Sequence, residues 1–507
     1  MKLSTLLMGL QQPPVHIYGL DMASMSEIRG LAYDSRKVQQ DWLFVAVPGV
    51  HTDGRYFLTD AARRGAIIAL GERLQEGTSL PLPYIEVADV RVALANLCCA
   101  FYGYPARTLC TIGVTGTDGK TTTSNLISTI LEGAGWHTGL MTTANFKICG
   151  QEWENTARQS TLEALEVQQF LRHLLDAGGT HAIIEATSHG LALSRVTGCD
   201  FDVGVVTNIT HEHLDFHKTL DAYRRAKAHL FEMLDPTRDK GLGSTPVAIL
   251  NHDDVSYDIL KPYCRVPILD YGIDTPAAVR AVDVELLTHS TRFRVTLANA
   301  EQQIETGLVG RFNISNCLAA IAATYSQGIA LCEIAKGLAS VTGVSGRMEH
   351  IDEGQPFTLI VDYAHTPDSL QKVLATLRPL TKGKLIVVFG SAGERDVQKR
   401  PIMGRIAAQM TDFFVITDED PREEDREQIL HAIAVGAEAE GKRQGRDFLC
   451  IADRREAIAT AFTHARAGDT ILLAGKGHEQ SILIGTEKLP WDDRLVAREQ
   501  IKKLRTH

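Results

Sequence analysis

The stretch CTIGVTGTDGKTTTSNLISTIL constrains the fold more than any other part of the chain. An apolar run typical of a strand leads into a loop that contains Gly116 and Gly119, and a helical pattern follows. Backbone N–H groups at a helix N-terminus surround an anion, while Lys120 neutralises phosphate oxygens and the Thr121 hydroxyl reaches Mg²⁺. The strict G-x-x-x-x-G-K-[ST] spacing is absent, because valine stands where the first glycine belongs. Strand, GKT and helix together still favour a nucleotide site over a purely structural turn.

Short apolar runs alternate with helical patterns along the whole chain, which predicts parallel α/β sheets. At 507 residues the chain exceeds the size of a single core, so several domains are expected. Breaks near YPART and SVTGVSGRME divide it into three α/β domains. We predict an N-terminal domain over 1–107, a central P-loop ATPase domain over 108–345, and a C-terminal doubly wound, Rossmann-like domain over 346–507.

Charge and cysteine content exclude several classes of protein. The net charge of -10 argues against broad binding to nucleic acid or to anionic membranes. The nine cysteines include no C-x-x-C pair, so neither a disulfide framework nor a zinc cluster is indicated, and a reducing cytoplasm is expected. The N-terminus does not resemble a secretory signal, and no segment reaches the ~20 apolar residues of a membrane span.

Two polar segments follow predicted strands downstream of the P-loop. Glu185 ends the strand in AIIEATSHGL, and TNITHEHLDFH follows the next strand. Alone, the histidines would be read as surface groups in a polar loop. Beside a nucleotide site, imidazoles and carboxylates at strand ends instead predict Mg²⁺ binding and positioning of a reacting group. The second segment supplies His211, Glu212, His213, Asp215 and His217.

The segment ITDEDPREED places six carboxylates and Arg422 directly after the apolar run DFFVI. A solvated acidic turn is the ordinary interpretation of such a charge run. However, open α/β sheets bind ligands at the carboxyl ends of their strands. The loops VDYAHTPDSL, GSAGERDVQKRP and AGKGHE also follow predicted strands of this domain, so all four are expected at one sheet edge.

Nine motifs occur in a characteristic order: TGTDGKTTT, EATSHGL, THEHLDFH, YRRAKAHLF, GRME, DYAHTPDSL, GERDVQKRP, DEDPR and GKGHE. Together they resemble the Mur ligase family, and within it the MurE type, over nearly the whole chain. The resemblance implies an N-terminal domain for a UDP-linked substrate, a central ATPase domain, and a C-terminal domain that brings an amino acid. It implies formation of an amide through an acyl phosphate, with ATP and Mg²⁺, by a monomer that acts on small molecules.

The resemblance also implies roles for individual residues. Lys227 matches a lysine that the family carries as a carbamate, although composition alone predicts an ordinary exposed charge. Lys120, Lys227 and His213 would be catalytic, and Thr121, Glu185, His213 and Lys227 would bind metal. The nucleotide would be held by Gly116, Thr117, Asp118, Gly119, Lys120, Thr121, Thr122, Asn316, Arg347 and Asp362.

The remaining implied residues bind the other two substrates. Ser35, in the DSR stretch, would contact the UDP-sugar. Gln159, Ser160, Thr161, Thr187 and Arg195 would hold the muramoyl-peptide, although Leu162 replaces a common proline. The incoming amino acid would meet Arg395, Glu419, Asp420, Pro421, Arg422, Gly475 and Glu479.

The identity of that amino acid stays open. Family members that use meso-diaminopimelate typically show D-N-P-R, whose arginine binds the distal carboxylate. Here the segment is E-D-P-R, so Asp420 adds a charge that favours a bare ammonium, as in lysine or ornithine, while Arg422 favours a carboxylate. Two other functions also remain: a folylpolyglutamate synthetase-like ligase, and a non-catalytic nucleotide-binding relative.

Overall fold

The computed structural model describes residues 1–19, 27–49, 52–75, 80–155, 157, 159–210, 214–243, 245–287, 290–298, 300–341 and 343–506. Its main sheets use successive stretches of the chain. None of the helices in these ranges is long and apolar enough to cross a membrane.

The first sheet has the order β1-β5-β4-β3-β2 and is parallel except for β1. Side chains alternate along β3, so that Leu43 and Val45 enter one apolar core while Phe44 and Ala46 enter another. The strands are β1 (His16–Tyr18), β2 (Gly30–Ala32), β3 (Trp42–Ala46), β4 (Ala66–Gly71) and β5 (Tyr84–Glu86). The helices are α1 (Leu3–Leu7), α2 (Leu58–Arg63) and α3 (Val90–Phe101), with 3-10 turns at Ser35–Lys37, Gly54–Phe57 and Pro105–Arg107.

The central sheet has the order β16-β15-β14-β13-β12-β11-β6-β10-β7-β8-β9. Strands β14 to β7 in this order pair in parallel, and antiparallel strands extend both edges. The strands are β6 (Cys110–Thr115), β7 (Thr138–Met141), β8 (Asn145–Ile148), β9 (Gln151–Glu154), β10 (His181–Glu185), β11 (Val203–Val206), β12 (Val247–Asn251), β13 (Ile268–Gly272), β14 (Val279–Leu286), β15 (Thr291–Leu297) and β16 (Ala300–Thr306). The helices are α4 (Lys120–Gly133), α5 (Ala164–Asp176), α6 (Ser188–Ala192), α7 (Leu214–His217), α8 (Leu220–Glu232), α9 (Ser256–Leu260), α10 (Arg311–Tyr325) and α11 (Leu331–Ser340), with a 3-10 turn at Lys261–Tyr263.

The third sheet has the order β17-β18-β22-β19-β20-β21 and is parallel except for β17. Alternate residues of β19 enter cores on its two faces, as a doubly wound sheet requires. The strands are β17 (Glu349–His350), β18 (Thr358–Asp362), β19 (Leu385–Phe389), β20 (Phe413–Ile416), β21 (Phe448–Cys450) and β22 (Thr470–Ala474), followed by a hairpin of β23 (Ser481–Ile484) and β24 (Glu487–Pro490). The helices are α12 (Pro367–Leu377), α13 (Lys399–Met410), α14 (Arg426–Glu438), α15 (Arg454–His464) and α16 (Asp493–Thr506), with a 3-10 turn at Arg378–Leu380.

The parallel registers align the carboxyl ends of the strands that carry the predicted motifs. Glu185 pairs with Val114 next to the glycine loop of the central sheet. In the third sheet Asp362 pairs with Ala474, and Phe389 pairs with Ile416. The polar loops therefore emerge at one edge of each sheet, where open α/β folds bind ligands.

Candidate active site

The glycine loop between β6 and α4 needs both of its glycines. Gly116 and Gly119 have φ of 145° and 83°, and α4 begins at the next residue, Lys120. A Cβ on Gly116 would lie 1.9 Å from Oγ1 of Thr207, and a Cβ on Gly119 would lie 2.2 Å from Oδ1 of Asn316. The loop thus brings bare backbone to the start of a helix, which is the geometry of an anion site.

A lysine, a hydroxyl and a carboxylate meet beside this loop. The Thr121 hydroxyl donates to Oε2 of Glu185 at 2.9 Å, and Lys120 Nζ lies 4.0 Å from Oε1 of that carboxylate. Lys120 Nζ also donates to the Thr117 carbonyl at 2.7 Å. Glu185 is buried, and it accepts further hydrogen bonds from the Thr143 backbone N–H and hydroxyl, both at 3.0 Å. This network fixes the carboxylate at the place where phosphate oxygens would arrive.

The donor set suits Mg²⁺. Mg²⁺ in proteins is usually bound by one or two carboxylates together with substrate phosphates and water. Thr121 and Glu185 supply a hydroxyl and a carboxylate in contact with each other. The predicted ligand His213 lies outside the described residues, as do His211 and Glu212.

Lys227 is buried, which corrects the expectation from composition that it is an exposed charge. It lies on α8, and its Nζ donates to the Gly116 carbonyl at 2.6 Å. The same atom lies 4.5 Å from the centroid of the Tyr223 ring, whose hydroxyl is 2.9 Å from Oγ1 of Thr117. Two contacts thus tie α8 to the glycine loop.

The residues predicted for the muramoyl-peptide cluster next to Glu185. Thr161 Oγ1 donates to the Glu185 carbonyl at 2.7 Å and lies 3.0 Å from Oγ1 of Thr187. Nη1 of Arg195 donates to the Thr161 carbonyl at 3.0 Å. The Gln159 carbonyl accepts from Asn155, and Ser160 is half-buried.

Ser35 lies in the N-terminal domain, away from these contacts. It is buried, and its hydrogen bond to the Asp60 carboxylate lowers the pKa of that group. This domain meets the central one through Tyr33, whose hydroxyl donates to Oε1 of Glu166 at 2.8 Å.

The C-terminal domain reaches the phosphate loop through Arg347. Its guanidinium lies 3.4 Å from Oγ1 of Thr121 and stacks 4.7 Å from the centroid of Tyr363. Asp362 is buried, and burial raises its carboxyl pKa while Arg347 opposes the rise. The Asp362 carboxylate accepts the backbone N–H groups of Met348 and Ala364 at 2.7 and 2.8 Å, so it shapes the segment that carries Arg347.

Asp118 and Asn316, two further residues predicted to contact the nucleotide, lie at the same junction. Lys372 of α12 lies 3.6 Å from Oδ2 of Asp118 and 2.5 Å from Oδ2 of Asp368. Asn316 accepts from Thr123 at 3.4 Å. The glycine loop therefore contacts both the helices of its own domain and the first helix of the next. Thr122, also predicted to contact the nucleotide, is buried in the first turn of α4.

Three of the six carboxylates in the acidic loop 416–425 pair with cations of the protein. Asp418 pairs with Arg426, and the Glu424 carboxylate contacts both terminal nitrogens of buried Arg400 at 2.5 and 2.8 Å. Asp425 is exposed and caps α14 by accepting the N–H groups of its first turn. The interpretation as a solvated acidic turn is thus wrong for Asp418 and Glu424.

Asp420 is buried and paired with a lysine, although its charge alone suggests an exposed carboxylate. Its side chain is largely buried, and Oδ1 accepts from Lys476 Nζ and from the Leu483 N–H, both at 2.9 Å. Lys476 is fully buried and also lies 2.5 Å from Oε2 of Glu479. The expectation of an unbalanced negative charge at Asp420 is therefore corrected by a lysine from the GKGHE segment.

Glu419 and Arg422 remain oriented toward the space between these loops. Oε2 of Glu419 is buried without a hydrogen-bond partner among the residues that the structure describes, and a Cβ on Gly475 would lie 3.7 Å from that atom. Arg422 has φ of 57°, and its backbone bonds to Leu483 and Gly485 of the hairpin. Its guanidinium is 3.9 Å from Glu394.

The other two residues predicted to contact the amino acid are Arg395 and Pro421. Arg395 is exposed, next to Glu394. The Pro421 carbonyl stands where a Cβ on Gly393 would be.

A fully buried ion pair supports the part of the site that is predicted to bind the amino acid. Arg454 bonds to Asp493 through Nε and Nη2 at 2.8 and 2.6 Å, and both side chains are fully buried. The same guanidinium donates to the carbonyls of Asp418 and Ala474. It thereby joins the ends of β20 and β22, from which the two loops leave.

Sequence reasoning missed several residues of this arrangement. The motifs pointed to Asp420 and Glu479 but not to Lys476, the lysine of the GKGHE segment that pairs with both. Thr143, Lys372 and Arg454 had no local signal, because each acts through a residue distant in the chain.

The comparisons agree with this geometry. The sequence matches the Mur ligase family catalytic domain over residues 27–102, the Mur ligase middle domain over 114–324, and the Mur ligase glutamate ligase domain over 346–477. It is 48% identical over 484 residues to "UDP-N-acetylmuramyl-tripeptide synthetase" of Roseiflexus sp. (strain RS-1), covering 94% of this chain and 95% of that protein.

Two further similarities extend over almost the whole chain. A "UDP-N-acetylmuramoyl-L-alanyl-D-glutamate--2,6-diaminopimelate ligase" of Geobacillus kaustophilus is 41% identical over 504 residues, covering 99% of this chain and 100% of that protein. A solved structure with the same ligase name is 31% identical with a TM-score of 0.65, covering 96% of this chain and 98% of that one.

Proposed function

The chain belongs to the Mur ligase family, and on this premise we propose that it joins a diamino acid to the D-glutamate γ-carboxylate of UDP-N-acetylmuramoyl-L-Ala-D-Glu at the expense of ATP. It is an ATP-dependent peptide ligase of peptidoglycan precursor synthesis, with the MurE type of specificity. We place it in the cytoplasm as a monomer.

One observation carries the proposal: two sheet edges meet around the phosphate loop. Arg347 of the C-terminal domain approaches Thr121, and Lys372 approaches Asp118. An anion site on one domain thus meets two cationic side chains of the other. A ligase needs this arrangement, because it must hold a phosphate donor, an acid and an amine together.

The reaction follows two balanced steps. A γ-carboxylate oxygen of D-glutamate attacks the terminal phosphorus of ATP, which forms an acyl phosphate and releases ADP. The amino group then attacks the acyl carbon, the C–O bond to phosphate breaks, and the amine loses a proton as the amide forms.

The residues of the loop act mainly by electrostatics. Lys120 and the α4 N-terminus stabilise the negative charge on the transferring phosphoryl group. Thr121 and Glu185 would hold Mg²⁺, which would supply further neutralisation of the phosphate oxygens. Burial of Lys227 against the Gly116 carbonyl supports its implied role as a carbamate, since a carbamate keeps an N–H that donates to this carbonyl.

Meso-diaminopimelate is the amino acid that the site favours. Lys476 offsets the charge of Asp420, and Arg422, which lies 3.9 Å from the exposed Glu394, supplies the guanidinium for the distal end of the substrate. An arginine binds a carboxylate in bidentate fashion and disfavours a bare ammonium. Glu419, with a buried unpaired oxygen, is placed to accept an ammonium group of the substrate.

The test is a ligation assay with the purified protein. UDP-N-acetylmuramoyl-L-Ala-D-Glu, ATP and Mg²⁺ are combined with meso-diaminopimelate, L-lysine or L-ornithine, and the tripeptide product and phosphate release are measured. We expect the highest kcat/KM with meso-diaminopimelate. A preference for lysine or ornithine would reverse the assignment of the amino acid, and no product with any of the three would reject the ligase function.

A variant of the loop lysine tests the site itself. Lys120→Ala should lower amino-acid-dependent phosphate release by about a hundredfold or more, since it removes a donor to the reacting phosphoryl group. Lys336→Ala, an exposed lysine on α11, is the matched control and should keep full activity. Unchanged release in Lys120→Ala would show that the catalytic site is assigned to the wrong loop, whereas a non-catalytic nucleotide-binding relative would release no phosphate even as the wild-type protein.

The folylpolyglutamate synthetase-like alternative predicts a different acid substrate. Replacing the UDP-linked dipeptide by a folate in the same assay distinguishes the two. Similarity to a tripeptide synthetase over 94% of the chain, including the N-terminal domain, favours the UDP-linked substrate.

A further inference from the structure

A triad of Asp420, Lys476 and Glu479 links the acidic loop to the GKGHE segment. Lys476 Nζ is 2.9 Å from Oδ1 of Asp420 and 2.5 Å from Oε2 of Glu479. The lysine side chain has no exposed surface, so its charge must be balanced by these neighbours.

Each carboxylate of the triad is tied to a different part of the pocket wall. Asp420 also accepts the Leu483 N–H of the β23–β24 hairpin at 2.9 Å. Glu479 lies 3.4 Å from the Tyr363 hydroxyl, and that ring supports Arg347. The triad therefore joins the loop after β20, the loop after β22 and the loop after β18.

We propose that Lys476 is a positioning residue that determines which diamino acid is accepted, by offsetting the charge of Asp420 so that this carboxylate does not repel a substrate carboxylate held by Arg422. The inference rests on the proposed ligase function and specifies how that site selects its amine. It assigns selectivity to a residue buried behind the pocket wall rather than to the difference between E-D-P-R and D-N-P-R alone.

Removing the lysine charge should change the preference of the enzyme. In Lys476→Met the side chain keeps a similar length, but two carboxylates lose their counter-ion. The pocket wall then repels a distal carboxylate and attracts a distal ammonium. We expect the ratio of kcat/KM for meso-diaminopimelate to kcat/KM for L-lysine to fall by about tenfold or more, as like charges across an interface select against a partner.

A second substitution isolates the charge of Asp420. The double variant Lys476→Met/Asp420→Asn differs from Lys476→Met in one charge only. The selectivity ratio should return to within about threefold of wild type, since an amide and an apolar side chain leave no uncompensated charge at 420. A merely structural role for Lys476 predicts instead that both variants lose activity toward the two amino acids in proportion, with the ratio unchanged.

The single variant Asp420→Asn covers the case in which Lys476→Met does not fold. This substitution removes one negative charge beside a lysine that still pairs with Glu479, so the ratio should move by about threefold or more toward meso-diaminopimelate, opposite to Lys476→Met. An unchanged ratio, or a move toward L-lysine, would overturn the proposal, because the charges at 420 and 476 would then not select the amino acid.

These outcomes are separate from failure of the proposed function. An enzyme that forms no tripeptide in its wild-type form refutes the ligase assignment. An active enzyme whose ratio is indifferent to Lys476 refutes only the inference.

Discussion

The phosphate edge of the central sheet and the amino-acid edge of the C-terminal sheet are both built for charged ligands, but from different chemical groups. The first is built from backbone: two glycines with positive φ, a helix N-terminus, and one carboxylate held by hydroxyl and N–H donors. The second is built from buried side-chain charges, in which Lys476, Arg400 and Arg454 balance carboxylates from other loops.

The difference follows from what each edge binds. A phosphate chain is recognised by N–H groups whose positions are fixed by local φ and ψ, so a contiguous motif suffices. An amino acid with charges at both ends needs charges of both signs at defined places, and these come from distant parts of the chain. Consequently the backbone edge should be sensitive to added atoms, and the charged edge should be sensitive to removed charges.

The largest effect on stability is expected from breaking the fully buried pair. Arg454→Met leaves the Asp493 carboxylate buried without its cation, which should cost about 3–5 kcal/mol of unfolding free energy in the C-terminal domain. Urea unfolding followed by circular dichroism measures it. Arg455→Ala removes the neighbouring exposed pair with Glu499 and should cost under about 1 kcal/mol. Similar losses in the two variants would contradict the view that buried charge pairs hold this edge together.

The second effect tests the backbone edge. Gly119→Ala places a Cβ 2.2 Å from Oδ1 of Asn316, so the loop must shift, and displacement of this size should lower kcat by about a hundredfold. Gly135→Ala is the matched control, because φ there is 88° but no atom lies within 4 Å of the added Cβ. It should lose about 1 kcal/mol of stability from strain and keep its activity. Equal activity in both variants would show that space at Gly119 is unimportant.

The smallest effect concerns His478, a buried residue of the GKGHE segment that lies near the Thr143 backbone of the central domain. Burial lowers the pKa of His478 to about 3 from an ordinary 6.5. The folded protein therefore holds His478 in its neutral form. The contribution of this residue to the free energy of unfolding is fully present above pH 6.5 and is lost as the pH falls from 6.5 toward 3. Between those values the loss should be about 1 kcal/mol per pH unit.

His478→Gln removes this titration. When the pH is lowered from 7 to 5, the urea concentration at the unfolding midpoint should fall more in the wild-type protein than in His478→Gln. The remaining pH dependence should include His181 of the central domain, whose pKa burial lowers to about 4. If His478→Gln shows the same acid loss as wild type, the histidine does not sit neutral between the domains.

The same contrast explains what the sequence predicts and what it does not. The α/β class, the parallel strands and the glycine loop follow from local patterns, because strand, loop and helix are contiguous around Gly119. The sheet edge shared by Asp362, Gly475 and the acidic loop follows from parallel pairing. The balance of Asp420 by Lys476, 56 residues away in the chain, depends on how two loops pack. A local charge count therefore omits the lysine that balances the carboxylate at this position.

The contact around Gly346 sets a rule for building chimaeras from this chain. Gly346 has φ of 63°, and a Cβ there would lie 2.1 Å from the backbone nitrogen of His478 and 2.4 Å from the carbonyl carbon of Gly477. The first residue of the C-terminal segment is thus fitted to a loop that the chain reaches more than a hundred residues later. A recombination point placed after Gly346 would separate two halves of one close contact, whereas a point before it transfers both halves together.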